Sequence, residues 1–371
     1  MWMRVKMIVL FVCLLLLLST VGSARDLVLT ISPEMELLAG VLSQTTWIER
    51  RGPEGSGNEY YRALYEFFSP YRDHQAVKLA QGLTDRGFTY DAPPAFIVHL
   101  GPLPELELAH EYSAYLIKRA GNRDRLEEFR LALKDLAAES RFLDFYTAWQ
   151  PYLADIVAEC SIDFNPQAVR VWLEEFFGWQ GSEFHLILAP AMFPGGGYGA
   201  TVTTAEGEMI AYQITREWGI SATMPQFQTG RSLEQLTIHE LGHSFVNPSL
   251  EAHPHRVRKL KPLLYRVREE MRSQAYGDIG SFLNEQVLRA AEVLAAKDLY
   301  GVAEAKATLQ YNEARGFYLT QFVVEQLEYY RSNREQYPTF RDYAPYLFAR
   351  LEHYQRQNCS LWEKLWGLWP W

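Results

Sequence analysis

The chain has 371 residues, of which 48% are hydrophobic and 14% aromatic. That composition excludes a disordered or low-complexity protein, and the length allows one large domain or two lobes around a cleft. A net charge of −9 with no basic cluster argues against a nucleic-acid partner.

Residues 1–24 read as a secretory signal peptide. Arg4 and Lys6 precede an apolar run from Met7 to Leu18, and small residues from Ser19 to Ala24 follow. The run is too short for a comfortable membrane span, so an uncleaved anchor is the lesser alternative. The expected location is therefore periplasmic or extracellular. Cys13 lies inside the run, which leaves Cys160 and Cys359 in the mature chain. Two cysteines do not make a disulfide framework, and their pairing stays open.

Leu27, Leu29 and Ile31 alternate as a first strand, and Pro33 opens a helix through Leu42. Residues 50–58 form a Gly- and Pro-rich loop. Tyr61, Leu64, Tyr65 and Phe68 share one helical face. Asp91 to Pro104 holds four prolines and reads as an irregular connection. Helices are expected at about 105–119, 124–138 and 140–149, the last broken by Pro151. Pro166 suits the first turn of another helix. Residues 25–180 thus form a mainly helical first part.

From residue 181 the texture changes. Phe184, Leu186 and Leu188 alternate as a strand, and Gly195 to Gly199 reads as a loop beside a cleft. Ala200–Thr204 and Glu208–Thr215 are strand-like, joined by a Glu206-Gly207 turn. Further helices are expected at about 256–272, 281–298, 303–314, 316–332 and 340–356. The fold class is α+β and predominantly helical, with a small sheet before one central helix and a helical C-terminal part.

That central helix contains His239-Glu240-Leu241-Gly242-His243. Residues at i and i+4 lie one turn apart on one face, so two imidazoles there reach one metal ion. The glutamate after the first histidine reaches a water at that metal and acts as general base. Ser232 and Gln235 read as a capping box, and Asn247-Pro248 as a stop, giving a helix from about Leu233 to about Val246. A surface helix with two idle histidines is the bland alternative.

A catalytic zinc needs a third protein ligand and an open position. Val246 and Ser249 stand where a metzincin would place its glycine and third histidine. Glu285, in Asn284-Glu285 near the start of a later helix, is the preferred ligand. Asp278, His253 and His255 are alternatives. With Glu285, the set is the gluzincin layout: His239, His243 and Glu285 as ligands to one Zn2+, Glu240 as base. Tyr318 is a weak choice for stabilising an oxyanion, with Tyr311 next.

The stretch from His239 to Pro248, with Asn284-Glu285 and Arg289-Ala290, resembles an uncharacterised family of exported bacterial proteins. In that family the zincin helix continues into Ser-Phe-Val-Asn-Pro. Gly196 to Gly199 and Arg315 to Tyr318 fit the same pattern, so the resemblance covers about Phe184 to Tyr318. It implies a gluzincin-like metallopeptidase fold over residues 181–371, possible as one continuous domain with 25–180, and brings no known substrate. Leu288 and Arg289 replace the Ser-Asp of thermolysin-type enzymes, which leaves open what orients the first histidine.

The expected activity is peptide-bond hydrolysis of a peptide or protein substrate. An inactive zinc-stabilised scaffold, or a zinc hydrolase of another amide or ester, is the alternative. By analogy with zincins, Glu208–Thr215 is the expected sheet edge for an extended peptide. The Trp-rich stretch Leu361–Trp371 could touch a membrane surface, but lacking a basic face it is expected to dock on the protein.

Overall fold

The structure, a computed structural model, describes residues 27–49, 57–179, 183–192 and 197–360. Residues 1–24, expected to be a signal peptide, residues 50–56 of the first loop, Gly195 and Gly196, and the Trp-rich stretch 361–371 lie outside the described residues. Among the described residues, no helix is long and apolar enough to cross a membrane.

Alternation along the chain builds a four-stranded sheet. Its strands are β1 (Val28–Thr30), β2 (Glu183–Leu188), β3 (Gly197–Thr203) and β4 (Met209–Thr215), in the order β1-β2-β4-β3. β1 and β4 both pair parallel to β2, and β3 pairs antiparallel to β4. A parallel pair needs a long crossover. Here the crossover from β1 to β2 is the whole helical first part. Residues 25–180 and 181–371 therefore share one sheet, and their buried apolar side chains form one core. The fold is α+β and predominantly helical.

The turn at Glu206-Gly207 closes the β3–β4 hairpin: the Thr204 N–H donates to the Glu208 carbonyl at 2.9 Å. Two expectations about this sheet change. Gly197 to Gly199 belong to β3 rather than to a loop. Glu208–Thr215 is not an edge, because β4 lies between β2 and β3; the edges are β1 and β3. A second, two-stranded sheet of β5 (Gly219–Ser221) and β6 (Met224–Gln226) follows β4.

Prolines interrupt less than expected. The helix Phe142–Ser161 runs through Pro151. Both Pro151 and Thr147, whose carbonyl loses its donor, face solvent, where water serves instead. Ala92–Ile97 is helical inside the supposed irregular connection, with prolines at its first turn, where a missing N–H costs nothing. The 256–272 region is three short helices, Pro254–Lys259, Lys261–Tyr265 and Arg268–Ser273. Cys160 and Cys359 are both buried.

Candidate metal centre

The helix Gly230–Glu251 lies across the sheet and carries His239, Glu240 and His243. It is longer than its sequence signals. Thr229 stands at its N-terminus, Ser232 lies inside it, and it runs through Pro248. Pro248 faces solvent, whereas Ser249 and Leu250 are buried. The Ser249 hydroxyl also donates to the Phe245 carbonyl at 2.6 Å. Packing after the proline thus outweighs one lost backbone bond.

Edge strand β3 approaches this helix closely, and its glycines permit it. A Cβ on Gly197 would stand 2.8 Å from Glu240 Oε1, and one on Gly199 2.7 Å from the Glu240 carbonyl oxygen. One ligand atom each of His239, Glu240 and His243 lie within 4.8 Å of one another.

The helix Ile279–Tyr300 packs against the first and brings Glu285. Its N-terminus is fixed by Asp278, whose carboxylate accepts the Gly280 and Ser281 N–H groups at 2.9 and 3.0 Å. Two turns on, Glu285 Oε1 lies 3.4 Å from His243 Nε2, and Oε2 lies 3.7 Å from His239 Nε2. Asp278 is thus spent as a cap. His253 packs its ring against Phe348, and His255 Nδ1 contacts Arg258 at 2.6 Å. Of the third-ligand alternatives, the one at the two imidazoles is Glu285.

Each imidazole is held from behind through Nδ1. His243 Nδ1 is 3.1 Å from Asn247 Oδ1, and His239 Nδ1 is 2.8 Å from Glu292 Oε1. Glu292 stands at i+7 from Glu285, with Arg289 between them at i+4. The Arg289 guanidinium donates to Glu285 Oε2 at 3.1 Å and to Glu292 Oε1 at 2.8 Å. Asn312 donates to the other Glu292 oxygen at 3.2 Å. The residue that orients the first histidine is therefore Glu292, which the sequence reading missed. Its signal was there: Glu285, Arg289 and Glu292 form a polar stripe on a helix otherwise buried through Phe282, Leu283, Val287 and Leu288.

The electrostatics suit a divalent cation. Glu240, Glu285 and Glu292 are all at most 9% exposed, and Arg289 is the one guanidinium among them. With neutral imidazoles two negative charges remain uncompensated. Burial alone would lower the His243 pKa, yet its hydrogen bond to Glu285 and the charges of Glu285 and Glu240 take it up to about 9. Burial alone would raise Glu285, yet the charges and hydrogen bonds of His239, His243 and Arg289 bring it down to about 2. A proton on His243 thus supplies part of the balance that a metal ion would otherwise supply. Ligand atoms about 2.0–2.1 Å from one tetrahedral zinc stand roughly 3.3 Å apart. The Glu285-to-imidazole separations of 3.4 and 3.7 Å are close to that. Two imidazole nitrogens and a carboxylate are also donors that zinc accepts.

Tyr318 is placed elsewhere: its hydroxyl donates to the Leu263 carbonyl at 2.6 Å and its ring packs on Phe282. Tyr311 is 62% exposed. Another tyrosine lies in the field of the site. Burial, with the charges of Glu285 and Glu240, pushes the Tyr276 hydroxyl up to about 12 against the opposing pull of Arg289. Tyr276 lies in a short connection with no periodic pattern, so nothing in the sequence singled it out.

The chain matches, over residues 27–350, the family described as a domain of unknown function (DUF4932). No curated protein and no solved structure matches it.

Proposed function

This chain belongs to the DUF4932 family, and we propose that it is an exported, zinc-dependent peptidase of gluzincin-like design. The observation that carries the reading is the convergence of His239 Nε2, His243 Nε2 and the Glu285 carboxylate, with both imidazoles held through Nδ1. The export part rests on residues 1–24 of the sequence.

His239, His243 and Glu285 would hold the zinc, which when bound would supply a Lewis acid for activating water and polarising a carbonyl. Glu240 is the base in this reading. Its carboxylate takes a proton from the attacking water and returns it to the leaving amine nitrogen. Gly197 leaves the room for Glu240 to do so. Arg289 and Glu292 hold Glu285 and His239 in place without exchanging protons with substrate. Tyr276, whose hydroxyl is pushed up by burial and by the charges of Glu285 and Glu240, keeps its proton across the neutral range. Edge strand β3, in place of β4, offers the substrate backbone a pairing partner.

The test is metal content and turnover measured together. The full chain should hold one zinc, Glu285→Ala should lose it, and Asp278→Ala should keep it. Glu240→Gln should keep zinc and lose about 10²–10⁴ in peptide cleavage. Undiminished cleavage by Glu240→Gln would remove it as the base, and normal zinc binding by Glu285→Ala would end the gluzincin assignment.

A further inference from the structure

A cavity of about 300 Å³ opens between the hairpin end of the sheet and the second half of the histidine-bearing helix. Its floor is aromatic: Phe177, Phe245 and Phe340 are buried there, with Phe177 and Phe245 stacked at 4.7 Å. Thr201 and Thr203 of β3 form the wall on the strand side. Two elements lead from the candidate centre to this cavity. On the helix, Ser244 and Phe245 directly follow His243. On β3, Gly197 and Gly199 face Glu240 and His243, and Thr201 then donates its hydroxyl to Ser244 at 2.8 Å.

We infer that this cavity receives a bulky apolar side chain of a peptide lying extended along β3. The inference rests on the peptidase reading and adds the substrate class to it. β3 has one strand neighbour, β4, and the helix Ala92–Ile97 also packs against it; an added strand would lie on the side away from β4. Strand residues advance about 3.4 Å each, and alternate side chains point to one face. Thr201 and Thr203 stand two and four residues beyond Gly199, on the face of β3 that lies over the helix. A peptide paired with β3 therefore carries a side chain into the cavity two to four residues, roughly 7–14 Å, from the bond at Glu240. The stacked phenyl floor is already formed, as apolar pockets generally are. A free lipid or small apolar molecule would fill the cavity without using the strand edge beside it; a peptide uses both.

The test uses the full chain carrying Glu240→Gln, so that binding is read without cleavage. End-labelled decapeptides differing by Phe against Ala at one position at a time are titrated against it. Phe at one position should tighten binding about tenfold or more. Adding Thr203→Trp, at an exposed strand position that accepts an aromatic residue, should abolish that difference; Thr201→Trp is a second blocking variant. Equal binding of Phe and Ala peptides at every position overturns the pocket, as does a difference that both folded blocking variants leave intact. The tightest peptide is then offered to the wild-type chain. Cleavage two to four residues from Phe, lost in Glu240→Gln, supports pocket and peptidase together. Selective binding without Glu240-dependent cleavage keeps the pocket and removes the peptidase reading.

Discussion

Glu292 and Arg289 decide how the first imidazole is presented. Glu292 fixes His239 through Nδ1, and Arg289 ties Glu292 to Glu285 so that ligand and support move together. Removing such a support typically weakens metal binding about 10–100-fold. Glu292→Ala should do so in a chelator-competition titration, with Glu292→Gln losing less; unchanged affinity would show that His239 needs no support. A second buried acid lies in the first part of the chain. Glu36 is fully buried beside Tyr60, and burial raises its carboxyl well above 4.5, with Tyr60 opposing and Glu217 adding to the rise. Above the ordinary value the native state thus holds a proton that the unfolded chain releases. Stability from this group falls as pH rises from about 4.5 through the raised value. Glu36→Gln should flatten that fall, read as urea-unfolding midpoints at pH 5 and pH 8.5. Parallel slopes for both proteins would refute it.

At the scale of elements, the approach of β3 to the histidine-bearing helix governs the cleft. The two glycines there meet different parts of Glu240, so their substitutions should separate. Gly199→Ala meets a backbone oxygen that cannot move aside, and overpacking of that kind costs about 1–3 kcal/mol. Gly197→Ala meets the end of the Glu240 side chain, which can swing away. It should therefore lose most cleavage while keeping its Tm, whereas Gly199→Ala should lose Tm as well. Thermal melts beside kinetics check this, and a Gly197→Ala protein of full activity would contradict it. The histidine helix itself was legible from spacing, but its ends were not. Ser232 and Gln235 have the letters of a capping box, yet Ser232 lies inside the helix, whereas Thr339 and Asp342 do form such a box at another helix. Asn247-Pro248 has the letters of a stop, yet burial of Ser249 and Leu250 carries the helix onward. Local chemistry proposes such boundaries, and tertiary packing decides among them.

In the whole molecule, the centre joins two helices distant in sequence, and that explains what could be read beforehand. His239, Glu240 and His243 share one helix, so a local period reveals them. Glu285 could be proposed because it lies early in the next long helix with an apolar stripe. Glu292 left a polar stripe with Glu285 and Arg289 as its trace; Tyr276 depends on where an irregular connection folds back and the β3 edge on strand order, which no local pattern encodes. The same geometry has a thermodynamic consequence. A metal ion bound only by the folded chain stabilises it by RT ln(1 + [L]/Kd), about 2.7 kcal/mol at a hundredfold excess over Kd. At an unfolding entropy of about 2.1 cal/mol/K per residue, each kcal/mol moves the Tm of a chain of this size by roughly 1–1.5 °C. Zinc should therefore raise Tm by a few degrees in a concentration-dependent way, and EDTA should reverse it. The stabilisation depends on all three ligands, so the rise should vanish in Glu285→Ala, whose third ligand is gone. It should persist in Glu240→Gln, where the ligands remain. A zinc-dependent rise of equal size in Glu285→Ala would place the ion somewhere other than between these two helices.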